Sequence, residues 1–253
     1  MLNMGFIDDI EEIMKHTPKE KRTLLFSATM PDRIAKLAKR YMNNPKKLEV
    51  DKAQPTTGLT DQIYFEVREG DKFDALTRII DIEPEFYGLV FCRTRNDVDT
   101  VTSKLIERGY GAEGLHGEIT QAQREKTLAK FRKRYINVLV ATDVAARGID
   151  IADLSHVINY SLPQDPESYI HRIGRTGRAG KQGTAITFVS NEEYRKLNYV
   201  QKATKVNIRK EILPNAQDIV AVKKEKIKDE LIDIIKQGSY EDYLGMAEDL
   251  IET

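Results

Sequence analysis

The sequence has one cysteine, Cys92, among 253 residues, and its 40 Lys and Arg are cancelled by 40 Asp and Glu. A single cysteine excludes a disulfide framework and a thiolate-based zinc site, and it fits a reducing compartment, the cytoplasm. A formal net charge of zero excludes a chain coated in positive charge, so nucleic-acid binding would have to come from local patches. No apolar run approaches the ~20 residues that span a bilayer, so no membrane partner is expected. The early acids Asp8 and Asp9 and the lack of a basic n-region argue against a secretory signal. There is no internal repeat and no low-complexity tract. His16, His116 and His156 show no metal-ligand spacing and read as structural histidines, and Cys92, inside an apolar run, reads as core. What remains, 40% hydrophobic and 32% charged residues, is globular composition. The length suits one large domain or two smaller ones.

Short apolar runs alternate with amphipathic stretches. Strands are expected at Thr23–Phe26, Gln62–Phe65, Gly88–Cys92, Asn137–Ala141, Leu154–Tyr160 and Thr184–Val189. The runs at 88–92 and 137–141 are almost wholly apolar, as in strands buried on both faces of a parallel sheet. Helices are expected at Asn96–Arg108 and Gln121–Arg132, and Asp165-Pro166 reads as an N-cap followed by proline at the first helical position. Strand–helix alternation predicts an α/β fold with right-handed crossovers. Asp51–Gly58 reads as a linker. A second break falls near Leu213-Pro-Asn215, beyond which the pattern is helical. Residues 209–253 carry 7 basic and 11 acidic side chains, which makes the tail a poor electrostatic arm for RNA.

Two stretches carry chemistry. His171-Arg-Ile-Gly-Arg-Thr-Gly-Arg178 sets three arginines three residues apart with little bulk between them. Guanidiniums suit bidentate contact with phosphate oxygens, and the glycines would let the backbone approach a partner. Ala141-Thr-Asp-Val-Ala-Ala-Arg-Gly-Ile-Asp150 follows an apolar strand and puts polar groups at the carboxyl edge of a sheet, where open α/β folds bind ligands. The helix from Gln121 to Arg134 adds a run of cations, among which Lys126 and Lys133 read as solvated.

These two stretches resemble motifs V and VI of the DEAD-box RNA helicases. Four more segments agree in order. Ser27-Ala-Thr29 resembles motif III, and Val90-Phe-Cys-Arg-Thr-Arg95 resembles motif IV. Leu115-His-Gly-Glu118 resembles the glycine motif, which usually ends in Asp, and Gln121-Ala-Gln-Arg124 resembles the Q-x-x-R motif. His171 separates this family from relatives that usually carry Gln there. There is no G-x-x-x-x-G-K-[ST] phosphate loop and no Asp-Glu-Ala-Asp box, yet Met1–Phe6 resembles the stretch that follows that box.

The resemblance implies a RecA-like parallel sheet with helices on both faces, followed by a short helical extension. Residues 1–50 would be the end of a first, ATP-binding lobe, 51–58 a linker, 59–206 the second lobe, and 207–253 an extension like that of the bacterial cold-shock subgroup, which dimerises there. Arg175 and Arg178 would be arginine fingers on the γ-phosphate of ATP, with Gly148 and Asp150 on the nucleotide. Ser27, Thr29 and His171 would couple hydrolysis to lobe closure. Thr94, Arg95, Gly117, Arg124 and Thr142 would meet the RNA sugar–phosphate backbone. Mg2+ would be held by first-lobe residues, so this stretch alone should not hydrolyse ATP. The competing expectation is a non-catalytic RNA-binding or dimerisation scaffold, which would have no use for γ-phosphate arginines.

Overall fold

The computed structural model describes residues 7–18, 20–26, 30, 32–48, 59–146, 154–177, 180–236, 238, 244–245 and 247. The chain divides into two compact units, Met1–Ala53 and Gln54–Thr253.

In the first unit, α1 (Ile7–Lys15) and α2 (Asp32–Tyr41) are tied by an ion pair between Arg40 and Glu11 at 2.9 Å. The strand expected at Thr23–Phe26 does not form. Strands persist through hydrogen bonds from a neighbour, and the described residues of this unit supply none. Leu24 and Phe26 are 65% and 88% exposed.

The second unit is a seven-stranded sheet. Its strands are β1 (Thr60–Glu66), β2 (Gly88–Cys92), β3 (Ala112–Leu115), β4 (Val138–Thr142), β5 (His156–Asn159), β6 (Gly183–Val189) and β7 (Arg209–Glu211). Their order is β3-β4-β2-β5-β6-β1-β7 and every pairing is parallel. The sheet therefore continues past residue 206, to Glu211. The helices are α3 (Lys72–Ile82), α4 (Arg95–Glu107), α5 (Gln121–Arg132), α6 (Asp143–Ala146), α7 (Pro166–Ile173), α8 (Tyr194–Thr204) and α9 (Ala216–Lys236).

The apolar strands are apolar because both faces are covered. All five residues of β2 are buried. Val90 and Cys92 join the core under α3 and α4, with Val101, Leu105 and Ile79. Leu89 and Phe91 point the other way, to Leu128 and Phe131 of α5. Farther along that second face, Tyr64 and Ala185 pack on Tyr169 and Ile173 of α7 and on Leu197 of α8. Burial pushes the Cys92 thiol far above its ordinary pKa, so it is core and not a nucleophile.

Helix starts are set by side chains. Thr94 and Asp97 form a reciprocal capping box on α4, Thr120 caps α5, and Asp165 accepts from the Ser168 amide at 2.8 Å ahead of Pro166. Asn215, in the expected break, accepts from the Gln217 and Asp218 amides and starts α9. α9 runs against α3, where Lys223 pairs with Asp81 at 3.1 Å, yet none of its residues is buried. Among the described residues no helix is long and apolar enough to cross a membrane.

Gly183 opens β6 where the chain from α7 passes close. A methyl there would collide with the Thr176 hydroxyl and come within 2.7 Å of the Gly177 amide nitrogen. Gly183→Ala should therefore cost about 1–3 kcal/mol, the range for overpacking a tight contact. Urea unfolding measures it, and a loss below roughly 0.5 kcal/mol would show that the contact relaxes cheaply.

Candidate functional site

Parallel strands put all their carboxyl ends on one edge of the sheet, and the expected site residues follow that edge. Thr94 and Arg95 leave β2, Gly117 leaves β3, Thr142 ends β4, and Asn159 and Ser161 close β5. β2 and β5 are neighbours, but the chain departs from β2 toward β3 and from β5 toward β6. The crevice between them is thus a topological switch point, the usual place for a ligand in an open α/β sheet. A cavity of about 1130 Å3 runs from its rim, at Arg93, Thr94 and Ser161, across the carboxyl ends of β6, β1 and β7, which supply most of the lining. On its wall, Lys72 is 2% exposed and pairs with Glu69 at 2.7 Å and Glu193 at 3.5 Å, while Arg93 faces the same Glu193 at 3.6 Å.

Arg172 organises the other half of the edge. It is 3% exposed. Its Nε and Nη2 donate to the two carboxylate oxygens of Asp143 at 2.6 and 2.8 Å, and its Nη1 donates to Asn159 Oδ1 at 3.0 Å and the Ser161 carbonyl at 2.7 Å. The guanidinium also lies over the Phe91 ring, 4.9 Å from its centroid. Four bonds from one fork tie α7 to α6 and to the end of β5. This corrects the reading of three arginines offered together to phosphate, because Arg172 is spent inside the fold. Burial explains it: a desolvated guanidinium is tolerable only when its donors are matched.

The glycines of the same segment also differ from expectation. Gly177 has a φ of +67°, and a methyl there would strike the Thr60 hydroxyl and sit 3.3 Å from the Leu59 carbonyl carbon. The fold itself requires that glycine. Gly117 is the opposite case. It is exposed, no positive φ is involved, and a methyl would meet nothing within 4 Å. Its lack of a side chain leaves room for a partner.

The remaining positions divide as follows. His171 is exposed and Arg175 half-buried, and both line a shallow depression with Asp143 and Phe91. Thr94 Oγ1 accepts from the Asp97 amide at 3.1 Å, which leaves the hydroxyl proton for another acceptor. Arg95 pairs with Glu118. Arg124 Nη2 donates to the Ala145 carbonyl at 2.8 Å, bracing α5 against α6. Thr142 is 9% exposed at the end of β4. Ser27, Thr29, Gly148, Asp150 and Arg178 lie outside the described residues. The cations of α5 scatter: Lys130 pairs with Glu113, Arg134 covers the Tyr87 ring at 4.1 Å, and Lys126 and Lys133 are solvated. Among the described residues no His, Cys, Asp and Glu gather as metal ligands. His116 sits 3.1 Å from Asp99, and buried His156 stacks on Phe86, its hydrogen bond holding the Glu83 carboxyl below the usual carboxylate range.

Asp143, Asn159 and Glu193 were not singled out by sequence reasoning. One signal was available for Asn159: an amide closing the apolar run His156–Asn159 must find a partner when buried.

An all-parallel RecA-like sheet with loops of this composition on its carboxyl edge defines the carboxy-terminal lobe of a helicase core. Comparison with known proteins agrees. Residues 71–180 match the model of the helicase conserved C-terminal domain. The chain is 46% identical over 252 residues to the DEAD-box ATP-dependent RNA helicase CshA of Geobacillus kaustophilus, covering all of this chain and 54% of that protein. Among solved structures, the C-terminal domain of the DEAD-box protein Dbp5 is 34% identical, with 98% of it and 66% of this chain aligned at a TM-score of 0.59. Dbp5 of Saccharomyces cerevisiae bound to RNA and ADP BeF3 aligns with 87% of this chain and 59% of its own at a TM-score of 0.77 and 32% identity. The chain belongs to the DEAD-box protein family, and it spans about half the length of the curated relatives it matches.

Arg172→Lys keeps the charge and loses the fork. Stability should fall by about 2 kcal/mol in urea unfolding. Asp143→Asn should cost less, because Asp143 is one-third exposed. Equal, negligible losses in both variants would mean that the bidentate bond is not what holds α7 in place.

Proposed function

We propose that this chain is the motor-completing half of an ATP-dependent RNA helicase of the cytoplasm that unwinds or remodels short duplexes. Residues 1–50 belong to the end of a first RecA-like lobe, and the helical extension begins after β7 and not at 207. The observation that carries the reading is the division of labour along His171–Arg175. Arg172 is consumed by the fold, whereas His171 and Arg175, on either side of it in sequence, line the depression at the sheet's carboxyl edge. A scaffold that merely held RNA would gain nothing from arginines fixed in this way.

ATP with Mg2+ supplies the phosphoryl group whose transfer to water drives the cycle. The half-buried Arg175 fits a phosphate in chemistry: a guanidinium lining a shallow depression. Arg175 and Arg178 would stabilise charge developing on the terminal phosphate, reached across the cleft from the first lobe. Gly148 and Asp150 would lie along the nucleotide, and Ser27, Thr29 and His171 would transmit its state to lobe closure. The metal would be held by first-lobe residues. RNA would run over Thr94, Arg95, Gly117, Arg124 and Thr142. Supporting this, Thr94 retains a donor and Gly117 leaves open space, features that suit a sugar–phosphate backbone rather than base edges.

The direct test exchanges this chain for the matching part of the Geobacillus relative and measures RNA-stimulated ATP hydrolysis. Arg175→Ala should lower turnover by roughly 10³, the scale of an arginine finger. RNA affinity of the unjoined chain should stay within about twofold, because a finger acts on developing charge and not on ground-state binding. Unchanged turnover would sink the assignment of Arg175.

A second reading, self-association, is favoured by α9. Val220, Ile227, Leu231 and Ile235 are each at least half exposed on one helix. Their spacing of seven and four residues aligns them as a stripe. A homodimer through α9 should appear by light scattering and disappear in Leu231→Glu. A monomer at high concentration would discard it.

A further inference from the structure

Arg95 and Glu118 belong to different loops. Arg95 opens α4 just past β2, and Glu118 follows Gly117 in the loop that leaves β3. β4 lies between those strands in the sheet, so the two side chains meet above its carboxyl end. The guanidinium of Arg95 closes the gap on the carboxylate of Glu118. Both side chains are more than half exposed, at 56% and 63%, so charge and not packing holds the contact. Arg93 is matched in the same manner by Glu193, whereas Arg124 donates to the neutral Ala145 carbonyl. Thr94 stands between two arginines that the fold itself has neutralised.

We propose that Glu118 is a positioning residue that holds Arg95 back from RNA, so that a phosphate gains Arg95 by displacing the carboxylate. The inference rests on the reading of this edge as the RNA side. A phosphodiester and a carboxylate compete for the same guanidinium fork. The lobe alone therefore binds single strands more weakly than its arginines suggest, and strand engagement is coupled to opening the Arg95–Glu118 bridge. An exposed ion pair is a small quantity, so the brake tunes affinity severalfold and does not abolish it. It also sets the salt response. Binding that must first break an internal pair shows a smaller net gain of phosphate contacts, hence a shallower dependence on salt.

The test uses the full 253-residue chain, a fluorescein-labelled oligouridylate, and fluorescence anisotropy over a range of salt. Glu118→Gln should tighten binding roughly two- to fivefold and steepen the logarithmic salt slope by about 0.7, one phosphate's worth for a single strand. Glu118→Asp, which keeps the charge that holds Arg95 and loses only one methylene of reach, should leave binding nearly unchanged. Both changes should be silent in an Arg95→Gln background, and thermal melting should be unchanged throughout. Equal tightening with and without Arg95 would overturn the proposal in favour of general repulsion. Weaker binding of Glu118→Gln would overturn it too, because the carboxylate would then be an RNA contact. If Arg95→Gln weakens binding while Glu118→Gln changes nothing, the brake falls and the RNA edge stands. If neither Arg95→Gln nor Thr94→Val alters affinity, RNA binds elsewhere and the reading beneath the brake falls with it.

Discussion

The buried Arg172 guanidinium is the constraint on which the functional edge depends. It joins the start of α6, the end of β5 and the body of α7 through bonds to Asp143, Asn159 and the Ser161 carbonyl. Those are the elements that carry the polar loop after β4 and the arginine segment after β5. Without the fork, α7 would be held chiefly by Tyr169 and Ile173 in the apolar layer, contacts that fix its depth and say little about its rotation. A hydrogen-bonded ion pair with one donor set in a plane fixes rotation as well. His171 and Arg175 thus flank, on the same short helix and the turn after it, a residue whose own donors are taken up inside the fold.

Among the described residues, charges along this edge largely satisfy one another. Lys72, Arg93 and Glu193 form one chain of opposite charges, Arg95 and Glu118 another, and Arg172 and Asp143 a third. This is how a chain with no net charge could, on the proposed reading, present a surface for phosphates. The cations are present but screened by built-in carboxylates, and the surface becomes attractive to a polyanion as those pairs yield.

Much of the fold was legible because the physics was local. Gly88–Cys92 and Val138–Thr142 are apolar without interruption, as strands covered on both faces must be, and Asp165-Pro166 announced α7. β3 and β7 were not legible. β3 is Ala-Glu-Gly-Leu, too short and mixed to show a period, and β7 is Arg-Lys-Glu, fully exposed at the sheet's end. The Thr23–Phe26 run read as a strand because an apolar pattern records that a face is covered, not what covers it. The site showed the same division. The positions of Thr94 and Thr142 just past expected strands were legible, whereas the strand that delivers Gly117 and the internal fate of Arg172 were not. A guanidinium bound for a phosphate and one bound for Asp143 are written with the same letter, and only the three-dimensional partner tells them apart.

The place of β1 in the sheet has a consequence for how the chain comes together during synthesis. β1 is the first strand made in its unit, but its neighbours are β6 and β7, with Thr60 beside Gly183 and Ile63 beside Arg209. More than a hundred residues must leave the ribosome before either flank of β1 finds its hydrogen-bond partner. Until then Tyr64, Phe65 and Val67, all destined for burial, stay wet. Closure of so long a loop is slow, and a waiting apolar strand is open to pairing with a neighbouring chain. The β2–β4 and β3–β4 pairings, joined by far shorter connections, can form first and give β5 and then β6 a template. The sheet therefore grows outward from its middle, and the strand translated earliest is among the last to be enclosed.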